Sequence, residues 1–297
     1  MNALSTSKAF VDKWAYQNEK DSRLENVESV FDDWVKQIPE DMLSFIFGFL
    51  DNFQYYSHKK ANDLLKDLHS RIVKEHGITT DDTIFTCIES TTGRANSSNA
   101  ALLEYQLLNQ VNKESVIMNL AKFKSEYWSY INNIVVIDDC CGTGESLSKL
   151  LENYCDVIKG KNIYYLVMHI MQDAIGRLKE LSDKFEVKII PIYSYVQKKA
   201  FSDTRINCDM NDAKEKTIQF SSEQGIPFNF ALGFEGSEGL FAFYNNTPNN
   251  TIGLFWFNTG HYFSLFPRKK DDKPLWMKGN KFKRCAMNYN LAKRKNQ

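Results

Sequence analysis

The chain predicts an α/β protein: a mainly parallel sheet flanked by helices, with a helical region before it. Three observations carry this. Runs of β-branched and aromatic residues recur from Thr83 onward and alternate with helical spacing. The first eighty residues show apolar positions three and four apart. One apolar run, residues 134–137, ends in two aspartates and a Gly-hydroxyl turn that opens a helix. Strands that alternate with helices favour parallel pairing through right-handed crossovers.

Taken in order, Leu24, Val27, Val30, Phe31, Trp34, Val35 and Ile38 form the stripe of one helix. Pro39 suits the first turn of the next, with Glu40 and Asp41 at its positive end. Leu43, Ile46, Phe49, Leu50 and Phe53 continue that helix, and another is expected over 58–75, closing near Gly77. These helices pack on the sheet domain or offer a docking surface. Residues 83–88 are the first strand, and 102–108 are helical. Residues 115–120 are read as a second strand and 134–137 as the third. Strands at 163–170 and 187–195 follow, with a helix over 173–184 between them. The polar stretch 198–225, with Asp203, Asp209, Asp212 and Glu215, reads as an insertion or mobile loop. Residues 239–244 and 252–257 bracket an Asn-rich turn. The expected organisation is a helical region 1–80, an α/β domain 81–267 and a basic tail 268–297.

Bulk properties narrow the class. At 297 residues, 43% hydrophobic and 25% charged, the chain is an ordinary globule able to bury a core. Its 21 Phe and 14 Tyr suggest wide apolar faces. Formal charge is zero, yet the last thirty residues hold eleven Lys/Arg against two Asp. Six cysteines (Cys87, Cys140, Cys141, Cys155, Cys208, Cys285) lack metal or disulfide spacing. With no signal peptide and no run of spanning length, a reducing cytoplasm is the expected setting, with no membrane partner. Adjacent Cys140 and Cys141 read as small fillers beneath the loop, with redox sensing as the alternative.

The functional signal is concentrated in residues 134–147. A buried strand ends at Asp138 and Asp139, and Cys140-Cys141-Gly142-Thr143-Gly144-Glu145-Ser146 leads into a helix marked by Leu147, Leu150 and Leu151. Free N–H groups at a helix start attract phosphate, and ligands collect at the carboxyl ends of parallel strands. Gly142 and Gly144 admit close approach of an anion; Thr143 and Ser146 supply hydroxyls. Two acids beside a phosphate suit sugar hydroxyls or a nearby divalent metal. A plain strand-turn-helix with acids at a polar rim is the bland alternative.

This stretch resembles the PRPP-binding motif of the phosphoribosyltransferases (PRTases), with Asp138, Asp139, Thr143, Gly144 and Ser146 on its fixed positions. The resemblance implies that Asp138 and Asp139 hold the ribose 2′- and 3′-hydroxyls. It also implies that the loop from Gly142 to Ser146 binds the 5-phosphate. Cys140 and Cys141 replace usual aliphatics, and Gly142 stands where purine-salvage members often place an acid that handles a proton of the base. Purine salvage is therefore disfavoured.

A second likeness lies in Asn246-Thr247-Pro248-Asn249-Asn250-Thr251, followed by Leu254-Phe255-Trp256 and Leu265-Phe266-Pro267-Arg268. This is similar to the PRTase-like domains of bacterial conflict systems, over roughly residues 25–268. It implies a type I PRTase-like sheet and a role in anti-phage defence, beside a reverse transcriptase as in retrons or another sensor. It further implies that Asn246, Asn249 and Asn250 present amides to a base or ribose; by residue type alone the segment is a surface turn. The loop after the first core strand, with Thr92, Gly93 and Arg94, would meet pyrophosphate, or is simply a polar connection. Mg²⁺ is expected with PRPP, held indirectly through Asp138 and Asp139.

Three functional classes follow. The first is an effector acting at the anomeric carbon of a ribosyl phosphate or nucleotide, through an oxocarbenium-like transition state. The second is a PRTase-fold regulator or partner-binding subunit that binds a nucleotide without turnover. The third, a SAM-dependent methyltransferase, rests on the likeness of Cys141-Gly142-Thr143-Gly144 to that family's loop. It is weakened by Cys140 where glycine is needed, and by a strand at 163–170 that lacks a terminal acid. In the tail, Lys278, Lys281, Lys283, Arg284, Lys293, Arg294 and Lys295 with Trp276, Phe282 and Tyr289 suit nucleic-acid contact or a solvated terminus.

Overall fold

The computed structural model describes residues 3–90, 96–204, 206 and 208–268. It begins with helices α1 (Ala3–Trp14), α2 (Ser22–Val35) and α3 (Glu40–Asn52). The stripe expected on α2 is buried at Leu24, Val27, Phe31 and Trp34, and Asp21 caps the helix by accepting the Arg23 and Leu24 N–H groups. Pro39 precedes α3, whose first turn carries Glu40 and Asp41. Strand β1 (Gln54–Tyr56) follows, then α4 (His58–His76). Gly77, in the left-handed region at φ 64°, terminates α4.

The central sheet has four parallel strands: β2 (Thr83–Cys87), β3 (Asn133–Cys141), β4 (Asn162–Met171) and β5 (Lys188–Gln197), in that spatial order. Helices α5 (Ser97–Asn109), α6 (Glu145–Ile158) and α7 (Gln172–Lys184) connect or follow them. Every residue of β2 and nearly all of β4 is buried, as expected for a sheet covered on both faces.

The second strand expected at 115–120 is reduced to one parallel bridge, Val116 to Phe85. Asn112 and Asn119 explain this: their side chains accept the Glu114 and Ala121 N–H groups and fold the flanks into 3₁₀ turns. The bridge nevertheless fixes topology. It lies on the side of β2 away from β3, so the chain reverses its direction of travel across the sheet between β2 and β3. The carboxyl ends of these two strands therefore flank a switch point, where open α/β sheets bind ligands.

Residues 198–225, expected to be a loop, contain α8 (Met210–Glu223), with Asp209 as its cap and Ala213, Thr217, Phe220 and Ser221 buried. Its inner face is small and partly polar, so hydropathy alone hides it. A four-residue helix, α9 (Phe228–Ala231), and strand β6 (Phe241–Phe243) complete the elements. β6 pairs in parallel with β1, Gln54 opposite Phe241, in a two-stranded sheet.

Two hydrophobic cores result. One joins the four-stranded sheet to α4–α7. The other joins α1–α3 to residues 200–266, through aromatic contacts such as Phe53 with Phe266 and Trp34 with Phe255. The β1–β6 pair contributes to both, with Tyr56, Phe241 and Phe243 in the first and Tyr55 and Ala242 in the second. Among the described residues no helix is long and apolar enough to cross a membrane.

Candidate active site

Strand β3 runs past the apolar stretch and carries both aspartates within it. Their surroundings differ sharply. Asp138 is 6% exposed. It accepts the Tyr165 hydroxyl at 2.9 Å on one oxygen and the Asp139 N–H at 2.9 Å on the other. Burial, with Asp139 alongside, pushes its carboxyl well above the ordinary carboxylate range. Asp139 is half-buried and accepts the Cys140 N–H at 3.0 Å. It lines a narrow cleft with Ser97 and Glu104 of α5, Met168 of β4, and Tyr244 and Asn245. Within that cleft Glu104 accepts the Tyr244 hydroxyl at 3.0 Å and faces His58 at 2.7 Å. The acidic pair is thus divided between a buried polar contact and a narrow cleft.

A separate cavity of about 250 Å³ is lined by Cys140 to Ser146, Lys149, Tyr165, Phe234, Asn249 and Asn250. Gly142, Thr143, Gly144, Glu145 and Ser146 all border it. Gly144 sits at φ 81°, a left-handed conformation that turns the chain into α6. The first-turn N–H groups of a helix lack intrahelical partners, and their dipole favours anions. Lys149 adds positive charge on the next turn and pairs with Glu145 at 3.2 Å. Burial pushes the Cys140 thiol well up and that of Cys141 to about 12, so both stay protonated at neutral pH.

The Asn-rich segment divides in the same way. Asn249 and Asn250 reach the cavity. A Cβ built on Gly142 would lie 2.0 Å from the Asn250 side-chain nitrogen, so only glycine admits this amide. The Asn250 carbonyl accepts the Gly239 N–H and the Ser237 hydroxyl, which holds the residue against the turn at 233–239. Asn246 does not border the cavity: its side-chain oxygen accepts the Thr247 N–H and its carbonyl the Phe243 N–H. Its side-chain oxygen thereby shapes the segment.

Thr92, Gly93 and Arg94 lie outside the described residues, as does the basic tail from 269 onward. Both ends of the 88–97 connection are nevertheless fixed at the switch point. Ser98 donates to the Ile137 carbonyl at 2.7 Å and accepts the Ile88 N–H. Glu89 accepts the Tyr154 hydroxyl and the Leu120 N–H. Lys149, Tyr165 and Phe234 were not anticipated. Lys149 was legible as the helical neighbour of Ser146; Tyr165 and Phe234 arrive by tertiary packing. Among the described residues no three His, Cys, Asp or Glu side chains converge as a metal site.

The sequence profile of the PRTase-CE family matches residues 31–268, and the chain belongs to this family of phosphoribosyltransferase-like domains. No curated protein matches the chain. Family membership displaces the methyltransferase reading, and β4 agrees. Near its end stands His169, fully buried against Phe241 at 3.8 Å between ring centroids, where a ribose-binding acid would be needed.

Proposed function

We propose that the chain binds a 5-phosphoribosyl compound, PRPP or a related nucleotide, and acts at its anomeric carbon. The observation that carries this is the polar cavity formed where the Gly142–Ser146 loop meets the first turn of α6, its lining beginning one residue past Asp139 in the chain. The 5-phosphate would take the loop N–H groups, the Thr143 and Ser146 hydroxyls, and the Asn249 and Asn250 amides. The sugar would lie toward Asp139, whose carboxylate accepts hydroxyl protons and offers negative potential to an oxocarbenium-like ring. Asp138 would act through Tyr165, which borders the cavity, and through the Asp139 backbone, keeping both in place.

Mg²⁺, bound chiefly by the pyrophosphate of PRPP, would supply charge neutralisation at the leaving group. Asp139 is the carboxylate open enough to approach it through water, while Asp138 is committed to Tyr165. Arg94 is the candidate cation of the pyrophosphate loop. We further propose the setting that the family likeness suggests: an effector or accessory protein of bacterial defence in the cytoplasm, with the basic tail contacting nucleic acid or a reverse-transcriptase nucleoprotein.

A second reading is favoured by Gly142, which leaves no acid where a base-handling group would stand. On that reading the chain binds the nucleotide as a regulator. Purified protein incubated with PRPP, Mg²⁺ and nucleobases separates the two: new nucleotide or released pyrophosphate supports catalysis, and binding without turnover supports regulation. Absence of any PRPP or nucleotide binding sinks both. Metabolite profiling of cells expressing wild type against Asp139→Asn identifies the substrate class.

A further inference from the structure

Arg23 lies in the first turn of α2, before the residues that the family profile covers. A cation there opposes the helix dipole, so a compensating role is expected elsewhere. The guanidinium supplies it by reaching three separate places in the C-terminal part of the chain. One terminal nitrogen donates to the Phe243 carbonyl. The other donates to the Thr247 hydroxyl at 2.5 Å and to the Pro267 carbonyl at 3.1 Å. The same group lies 5.7 Å from the centre of the Phe266 ring. Thr247 passes the connection on by donating its hydroxyl to the Phe266 carbonyl at 2.7 Å.

These contacts bracket the Asn-rich segment. Phe243 ends β6 just before it, Thr247 sits within it, and Asn249 and Asn250 follow at the cavity. The planar fork of arginine serves several acceptors with little loss of freedom, which a lysine does not match. Burial lowers the Arg23 pKa to about 10, so the group stays charged at neutral pH. Asp21, held by the Tyr55 hydroxyl at 2.8 Å, fixes the helix end from which Arg23 projects.

We propose that Arg23 is a positioning residue: it pins residues 243–247 so that Asn249 and Asn250 stand over the phosphate loop. Its consequence for binding rests on the cavity being the ribosyl-phosphate site; its consequence for loop order does not.

The test uses the full chain and two readouts. Hydrogen exchange without ligand should show peptides spanning 243–252 exchanging about tenfold faster in Arg23→Met, with β3 and α6 unchanged. Arg23→Lys should fall between. Unchanged exchange in that segment, or an equal rise throughout the protein, overturns the proposal. In calorimetry with PRPP and Mg²⁺, Arg23→Met should weaken binding about tenfold in the wild-type background, and scarcely at all in Asn250→Ala. Fully additive losses would mean that Arg23 does not act through the segment. If wild type fails to bind PRPP, the site reading falls, and exchange alone decides the role of Arg23.

Discussion

Tyr165 reaches across from β4 and donates its hydroxyl to Asp138 at 2.9 Å, tying the first aspartate of the motif to the sheet interior. Asp139, one residue on, borders a narrow cleft. Two acids adjacent in sequence therefore have different physical duties, and substitution should separate them.

Folding favours the protonated form of Asp138, because burial and Asp139 raise its pKa. Its contribution is complete below the unfolded carboxylate value, about 4. It is lost as pH rises through the higher folded-state value. Asp138→Asn is neutral throughout and can donate to Tyr165 while accepting the Asp139 N–H. Its stability relative to wild type should thus grow between pH 4 and 8, by on the order of 2 kcal/mol. Denaturant melts at several pH values check this; a constant difference would refute it.

Asp139→Asn keeps an oxygen for the Cys140 N–H, so melting should move by only a degree or two, about 0.5 kcal/mol. Affinity for PRPP should fall by roughly tenfold or more, since a charge-assisted acceptor is lost. Calorimetry on the folded variant reads the effect. Wild-type affinity would remove Asp139 from the ligand.

Gly142→Ala presses its methyl group on the end of the flexible Asn250 side chain, so the stability cost should stay near 1 kcal/mol. Displacing that amide should weaken phosphate binding. The double variant Gly142→Ala/Asn250→Ala should recover the stability loss without regaining affinity, as thermal melts and calorimetry together would show.

Thiol reactivity should follow exposure and charge state. Cys155 is exposed, whereas Cys87, Cys140 and Cys141 are held above the ordinary thiol range by burial. Alkylation of native protein at pH 7.5 should mark Cys155 well before these three. Early modification of Cys140 or Cys141, seen by peptide mass spectrometry, would restore a redox role.

The strands around the site were legible because burial on both faces writes continuous apolar runs, as in residues 134–137 and 163–170. Helix boundaries were legible from prolines and glycines, as in the start at Pro39 and the end at Gly77. β1 was not, because three residues in a helical context become a strand only when Phe241 to Phe243 arrive beside them. α8 was missed because Thr217 and Ser221 occupy its buried face. In the site, the loop and the acidic pair were visible as residue types. The unequal fates of Asp138 and Asp139 were not, since Tyr165 decides them from another strand. Asn246 and Asn250 look alike in sequence; only their backbone partners tell them apart.

The pairing of β1 with β6 also constrains how the molecule is made. Gln54 to Tyr56 leave the ribosome early, but their neighbour is not synthesised until residue 241. Until then a nascent chain carries α1–α3 with Phe53 lacking the Phe255 and Phe266 rings and Trp34 lacking the Phe255 ring. Premature termination anywhere before that point should yield sticky fragments that depend on chaperones, although all four strands of the central sheet are synthesised by residue 197.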